Sequence, residues 1–501
     1  MHPNGAARQN NVELAPLATG YRDDAGDDSD DEAYDPAIHA PIQQPGGRSA
    51  SAKRHARRLT CLPRLWHAAL ALYVALAAFG VYMLKTYEQP DDIKWRPQLL
   101  EALRNPRSQG YHTGEKIFIA ANFFNNERIL PYWTREMSKV ITYLGTQNVY
   151  VSIFESYSHD QTPALLDAFA ENLKRMGVEH SVITRDTSIP KPNTGITNNN
   201  RISFLSAVRN KVMAPLYERG GFDRVLFSND IYVEAESVIA LLRARNGDWD
   251  MVCSLDFNYW GLYDAWVIRD RLGGLASAIW PYFLEEVGMG AVERGEPAPV
   301  FSCWNGIVGM RADPFYTAEQ RKNMTHPKLS DKPLDPPLPP SHPSYEPFKI
   351  VPPALAPPLR FRTSVEGKEC FSSECFLIPY DFRRQFLLDK IFVVPTVLVA
   401  YEWDYYVWYR WVIRHWLVKW YIENIERGDG YQRTRVTMGP KEHVYVWDGG
   451  HCFPVRRLRA FESMWTDDSL SVLILRSRSH LRFALVLGYR LRLAGWPADV
   501  E

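Results

Sequence analysis

The sequence predicts an α/β protein, a mostly parallel sheet with helices on both faces, set behind one N-terminal membrane helix. Short apolar, β-branched runs alternate with helical patterns from Lys116 to Leu255, which is the pattern of βαβ units. A stretch without Asp, Glu, Lys or Arg, Leu65–Leu84, precedes them. Neither a G-x-G-x-x-G nor a G-x-x-x-x-G-K-[ST] loop accompanies the strands, which argues against a dinucleotide oxidoreductase or a P-loop enzyme. The chain of 501 residues, 46% of them hydrophobic, has ample material for a large core. Its formal net charge of +0 gives no sign of a nucleic-acid partner.

Residues 1–64 are rich in Asp, Ala, Pro, Gln and Gly, with an acidic run from Asp23 to Glu32. They hold too few large apolar residues for a core and are expected to be a disordered cytosolic tail. As a helix, Leu65–Leu84 would span roughly 30 Å, the thickness of a bilayer's hydrocarbon. Lys53, Arg54, Arg57, Arg58 and Arg64 precede it, whereas Lys85 is followed by Glu88, Asp91 and Asp92. That bias keeps the N-terminus cytosolic and the bulk of the chain lumenal or extracellular. A cleaved signal peptide would start near the first residue with a shorter apolar core, so an uncleaved signal anchor is expected. Residues 85–113, with Pro90, Pro97 and Pro106, read as a stem holding the domain off the membrane.

The alternating region predicts strand Lys116–Ala121, helix Glu127–Leu144, strand Asn148–Phe154, helix Pro163–Met176, strand Glu179–Thr184, helix Ile202–Leu216, strand Arg224–Ser228, a helix near Ala235–Ala244 and strand Asp250–Leu255. The lumenal domain is expected over residues 114–465, with a Pro-rich insertion at 329–360. Residues 466–501 mix apolar residues with arginines. Those charges exclude a second membrane span and leave a surface helix or an irregular end. Cys253, Cys303, Cys370, Cys375 and Cys452 follow the anchor into an oxidising compartment, where some of them should pair. Asn323-Met-Thr325 is a glycosylation sequon.

In an open α/β sheet ligands gather outside the carboxyl ends of the strands. Asp230 closes the strand Arg224–Ser228 there and can hold a divalent cation against a phosphate, or cap the helix that comes next. Asn122, Asn126 and neighbouring residues close the first strand, where a nucleotide base and ribose can bind or where Asn simply makes the turn. Arg201 and Arg209, eight residues apart on one helix face and followed by Asn210, can clamp a pyrophosphate or form a solvated basic stripe. Asp256 closes the next strand, and Tyr263, Asp264 and Trp266 add a carboxylate and rings suited to a sugar. The loop Cys303-Trp304-Asn305-Gly306 can wall an acceptor site or act as a turn tied by a disulfide.

Taken in order, KIFIAANFFNNE, VYVSIFESYSHDQT, RISFLSAVRN, DRVLFSND, CSLDF, LYDAWVIRD, VFSCWNGIVGM and SSEC resemble the fungal capsule-associated mannosyltransferase family. The resemblance covers about Lys116 to Cys375, and more loosely extends to Trp465. It implies a GT-A-like fold, a type II Golgi or ER membrane protein, and transfer of mannose from GDP-mannose to a glycan or polysaccharide acceptor in α-1,3 linkage. It further implies that Asp230 holds Mn²⁺ or Mg²⁺ on the donor, with Ser228 standing where the usual acidic pattern has its first aspartate. Retention of configuration calls for a carboxylate or carbonyl near the anomeric face, or attack from the leaving-group side, and Asp256, Asp264 and Glu374 are the candidate carboxylates. The alternative is a sugar-binding or assembly protein without transfer activity on the same fold.

Overall fold

The computed structural model describes residues 62–412 with 415 and 420, apart from 87, 193–197, 259–260, 265–266, 272, 275, 278–279, 284, 322–357, 366–371 and 387. The acidic tail, most of the Pro-rich insertion, the sequon, Cys61, Cys370, Cys452 and the segment 466–501 lie outside the described residues. Contacts divide the chain into Met1–Trp66 and His67–Glu501, and the sheet belongs to the second unit.

Helix α1, Leu62–Thr86, contains an 18-residue window, Trp66–Met83, with mean hydropathy 1.6 and little burial. By length and composition it can cross a bilayer. Residues 85–113, expected as a spacer, instead carry α2, Pro90–Arg104, which starts on a proline suited to a first helical turn. Its Trp95, Leu99 and Ala102 are buried in the same apolar cluster as the sheet. Of the prolines that suggested an extended stem, Pro90 opens the helix, Pro97 lies within it on the exposed side and Pro106 follows its end.

The alternation expected from the sequence is present, with edges shifted by a few residues: β1 Ile117–Phe123, α3 Leu130–Leu144, β2 Val149–Glu155, α4 Thr162–Arg175, β3 Glu179–Ile183, α5 Asn198–Arg219, β4 Arg224–Ser228, α6 Ala235–Leu242 and β5 Met251–Asn258. Beyond them come β6 Gly261–Leu262, β7 Arg269–Asp270, α7 Glu286–Arg294, β8 Ala298–Ser302, β9 Ile307–Arg311, α8 Ala318–Arg321, α9 Glu374–Phe386, β10 Ile391–Ala400 and α10 Trp403–Val407. The strands form one sheet in the order β3-β2-β1-β4-β9-β5-β10-β8-β7, with β6 on β5.

Pairs among β1, β2, β3 and β4 are parallel, as is β5 with β10, while β9 runs antiparallel between β4 and β5. The sheet is therefore mixed, parallel from β1 to β4 and partly antiparallel beyond them. Alternate residues of β1 point to opposite faces, as a pleated strand requires. Phe118 and Ala120 join one buried cluster with α5 and α9, and Ile117, Ile119 and Ala121 join the other with α2, α3 and α6.

β10 is an interior strand, between β5 and β8, despite Pro395, because its register shifts between Val393 and Leu398 and the proline falls in that irregularity. Cys253 on β5 and Cys303 after β8 form a disulfide, so some of the cysteines beyond the anchor do pair. Cys375 is free and buried.

Candidate active site

The carboxyl ends of β1, β4, β5 and β10, the start of α9 and the turn between β8 and β9 bring one polar cluster together. Asp230 follows β4 and accepts a hydrogen bond from Asn126 Nδ2 at 2.7 Å. Asn126 is itself fixed, because its Oδ1 accepts from Phe124 N at 2.7 Å and its own N donates to Thr162 Oγ1 at 2.6 Å. The residue at the N-cap of α6 is Glu234, whose side chain makes no capping bond, so Asp230 is not a helix cap. It keeps some accessible surface. Burial of the carboxyl nevertheless raises its pKa to about 6, against the opposing hydrogen bond from Asn126.

Ser228 cannot serve as a second ligand. Its side chain is fully buried, accepts from Trp133 Nε1 at 2.9 Å and donates to Asn229 O at 2.8 Å. Among the described residues no group of three or more His, Cys, Asp or Glu is placed to hold a cation by itself. A lone accessible carboxylate does fit Mg²⁺ or Mn²⁺ bound through substrate phosphates and water, since such ions take only one or two carboxylates in phosphate sites.

Asn229 joins both halves of the cluster. Its Oδ1 accepts from Trp304 Nε1 at 3.3 Å and from Arg209 at 3.5 Å, and its Nδ2 donates to Tyr401 OH at 3.0 Å. Tyr401, directly after β10, donates in turn to Asp256 Oδ2 at 3.5 Å. Asp256 Oδ1 accepts from Asn305 Nδ2 at 2.8 Å and from Asp264 N at 3.3 Å. Asn305 and Gly306 both have positive φ, 48° and 88°, the left-handed turn that Asn and Gly tolerate. A Cβ on Gly306 would lie 2.6 Å from Val399 Cγ2, so only glycine lets this turn sit against β10 and aim Asn305 at Asp256.

Arg209 is buried and donates from Nε to Glu374 Oε1 at 3.0 Å. Its guanidinium lies over the rings of Trp304 and Phe227, 4.8 and 5.0 Å from the centroids. It is thus held inside the fold and does not stand on a solvent-facing stripe with Arg201. Arg201 is half-buried near Tyr263, where its charge opposes the rise that burial causes in the phenol's pKa.

The expectation for Asn210 needs correction. Its amide grips the segment before α9, donating to Phe361 O at 2.8 Å and accepting from Phe361 N at 3.0 Å. One residue further along a helix turns the side chain by about 100°, away from the direction of Arg209. Trp304 is likewise buried, at 1% exposure, and forms a floor under Arg209 where the sequence suggested an acceptor wall. Asn122 keeps a buried Oδ1 with no hydrogen-bond partner beside the cluster, and Glu374 keeps a buried Oε2 in the same state.

Burial, then the charge of Asp256, raises Asp264 to about 8, and burial raises Asp256 to about 6. A carboxyl whose folded pKa lies above its unfolded value stabilises the fold fully below the unfolded pKa and loses that contribution as pH rises through the folded one. The unliganded protein should therefore melt at a higher temperature near pH 5 than near pH 8.5. Asp264→Asn should flatten the upper part of that profile, and a profile unchanged in the variant would remove Asp264 as its cause.

With this geometry in view, residues 116–381 match the family model described as cryptococcal mannosyltransferase 1, more than half of the chain. The chain belongs to the cryptococcal mannosyltransferase 1 family. An α-1,3-mannosyltransferase of Cryptococcus neoformans var. neoformans is 27% identical over 315 residues, which are 58% of this chain and 58% of that protein. The match therefore spans little over half the length of the curated relative. Solved structures with some likeness include glucosyl-3-phosphoglycerate synthase from Mycobacterium tuberculosis with Mn²⁺, UDP and glucosyl-3-phosphoglycerate, at 14% identity, 63% of this chain, 77% of that one and TM-score 0.26. S. aureus TarS is another, at 12% identity, 41% and 53% coverage and TM-score 0.24. At such scores neither carries an argument about this site.

Sequence reasoning named Asp230, Asn126, Arg209, Asp256, Asp264 and Glu374, and the fold brings them into one network. It missed Asn229, Asn305 and Tyr401 as members. Asn229 and Asn305 sat in stretches already singled out, but a turn gives no sign of where an amide points. Tyr401 lies behind a strand hidden by its proline.

Proposed function

We propose that this family member is a membrane-anchored glycosyltransferase that moves mannose from GDP-mannose to a glycan or polysaccharide acceptor in α-1,3 linkage. In this reading α1 is a type II signal anchor in the Golgi or ER, the cytosolic tail is 1–64, and the lumenal transferase domain runs from 114 to 465 with a divergent basic tail over 466–501. The observation that carries the proposal is the union of Asp230 and Asp264, both with accessible surface, with the Arg209–Glu374 pair at the carboxyl ends of the strands.

Transfer develops positive charge on the sugar ring and negative charge on the leaving diphosphate. Asp230 would hold Mn²⁺ or Mg²⁺ at the donor, and the ion would supply charge that offsets the leaving group. Arg201, half-buried at the same side as Tyr263, is the arginine with surface to offer a phosphate. Arg209 instead holds Glu374 in place. Asn122 and Asn126 lie where the first strand opens to a nucleotide. Asp256 has 0% exposure and both oxygens engaged, so it positions Asn305, Tyr401 and Asp264. Asp264 is then the carboxyl able to meet the sugar.

Ser228, with its hydroxyl spent on Trp133 and Asn229, favours a second reading, a sugar-binding protein without transfer. Incubation of the protein with labelled GDP-mannose and α-mannoside acceptors, followed by linkage analysis, separates the two. A new α-1,3 bond is expected. Labelled product from UDP-glucose but not GDP-mannose would refute the donor, and binding of mannosides with no product from any nucleotide sugar would favour the second reading.

A further inference from the structure

Helix α2 has two faces of different fate. Asp92, Trp95, Leu99 and Ala102 are turned into the protein, where α2 packs on α6 and α3. The clamp is strong, because Arg410, fully buried, donates to both oxygens of Asp92 at 2.8 and 2.7 Å and to Glu234 at 2.8 Å. On the opposite side Ile93, Pro97 and Leu100 recur at helical spacing of four and three residues, so they make one stripe. Ile93 is 57% and Leu100 42% exposed, and Leu103 at the flank is 39% exposed. Lys94, Gln98, Glu101 and Arg104 are exposed around the stripe, so the outer side joins an apolar row to polar and charged neighbours, the pairing an interfacial helix carries.

The position of this stripe says what covers it. α1 ends at Thr86 and α2 begins at Pro90, so the gap between their ends can extend to at most roughly 14 Å. The last turn of α1 also touches the domain, with Met83 buried in a cluster with Tyr406 and Trp411. If α1 crosses a bilayer, the surface around its end has no room to stand clear of the headgroups, which occupy roughly 5–8 Å on each side of the hydrocarbon. Tyr82, on the last turns of α1 and 44% exposed, is a ring of the kind that settles at that level.

We propose that α2 lies in the headgroup layer with Ile93, Pro97 and Leu100 toward lipid, so that the domain rests on the bilayer and is not carried above it on a stem. The inference depends on α1 being the anchor. It fixes the domain's orientation, because α2 is clamped through Arg410 to Glu234 and to Ser237 of α6, and it directs the enzyme toward acceptors close to the membrane surface.

The full chain, with Cys61, Cys370 and Cys452 replaced by serine, can be labelled with a small fluorophore at Ile93→Cys, Leu100→Cys or Leu72→Cys and placed in phosphatidylcholine nanodiscs. Lipids with a nitroxide near the headgroup should remove most of the fluorescence at positions 93 and 100, and iodide in the water should remove little. Lipids with a nitroxide deep in the acyl chain should quench position 72. If 93 and 100 yield to iodide while 72 is quenched from the acyl chain, α2 is in water and the proposal fails while the anchor stands. Protection from both quenchers would mean that protein, such as a second copy, covers the stripe, and it too refutes the proposal. If no lipid nitroxide reaches 72, the anchor reading falls and the proposal with it.

Discussion

Asp230→Asn is expected to lower kcat/KM for sugar transfer by on the order of 100-fold or more, about 2.7 kcal/mol. The unliganded protein should meanwhile unfold at the same temperature or a higher one. The asparagine keeps the shape and can still accept the bond from Asn126 Nδ2. What it removes is a charge whose burial already raises the carboxyl's pKa, so above pH 6 the fold loses a penalised ion. A helix cap would have behaved differently, since Asn caps as well as Asp and activity would survive. Steady-state kinetics beside a thermal melt separates these outcomes. Unchanged activity would take the metal away from Asp230 and leave Asp264 as the remaining accessible carboxyl.

The second large effect concerns stability. Arg209→Met should destabilise the fold by about 3–5 kcal/mol, because it strands the buried carboxylate of Glu374 without its partner. Denaturant unfolding of Arg209→Met, Glu374→Gln and the double variant gives the test. The double variant should recover much of the loss, since no uncompensated charge then remains, while transfer stays low. If the two single losses simply add in the double variant, the 3.0 Å ion pair is not the source of the effect.

The first half of the sheet was legible in the sequence because its strands are parallel and, apart from the edge strand β3, buried, so they read as apolar runs between helices. β4 is an instance, with Arg224–Ser228 as the same five residues in sequence and structure. The second half was not legible, for local reasons. β9 is five residues long with Gly309 at its centre, a glycine the fold needs because a Cβ there would come within 3.0 Å of Trp249 and Val252. β10 contains a proline that ordinarily excludes a central strand. α2 was hidden by Pro90 at its start, Pro97 within it and Pro106 just past its end, a pattern that ordinarily argues against a helix.

The site followed the same division. Carboxylates at the ends of recognisable strands were found from their position alone. The amides and the tyrosine that join them were not, because their role depends on which way a turn aims them. Arg209 shows the limit from the other side. Its spacing from Arg201 reads as one helix face, but which side of the helix the core would cover depended on α9, which the sequence did not place. Burial converts a would-be phosphate ligand into the partner of Glu374.

In the proposed function the cluster around Asp230 turns over a nucleotide sugar with the help of a divalent cation. Release of GDP from GDP-mannose by the purified full-length protein in detergent, measured with Mn²⁺ or Mg²⁺ and again after EDTA, tests it most directly. The account predicts steady GDP release with metal and loss of most of it after chelation, restored on adding the ion back. No release with either metal, from a protein that still binds the nucleotide sugar, would contradict it.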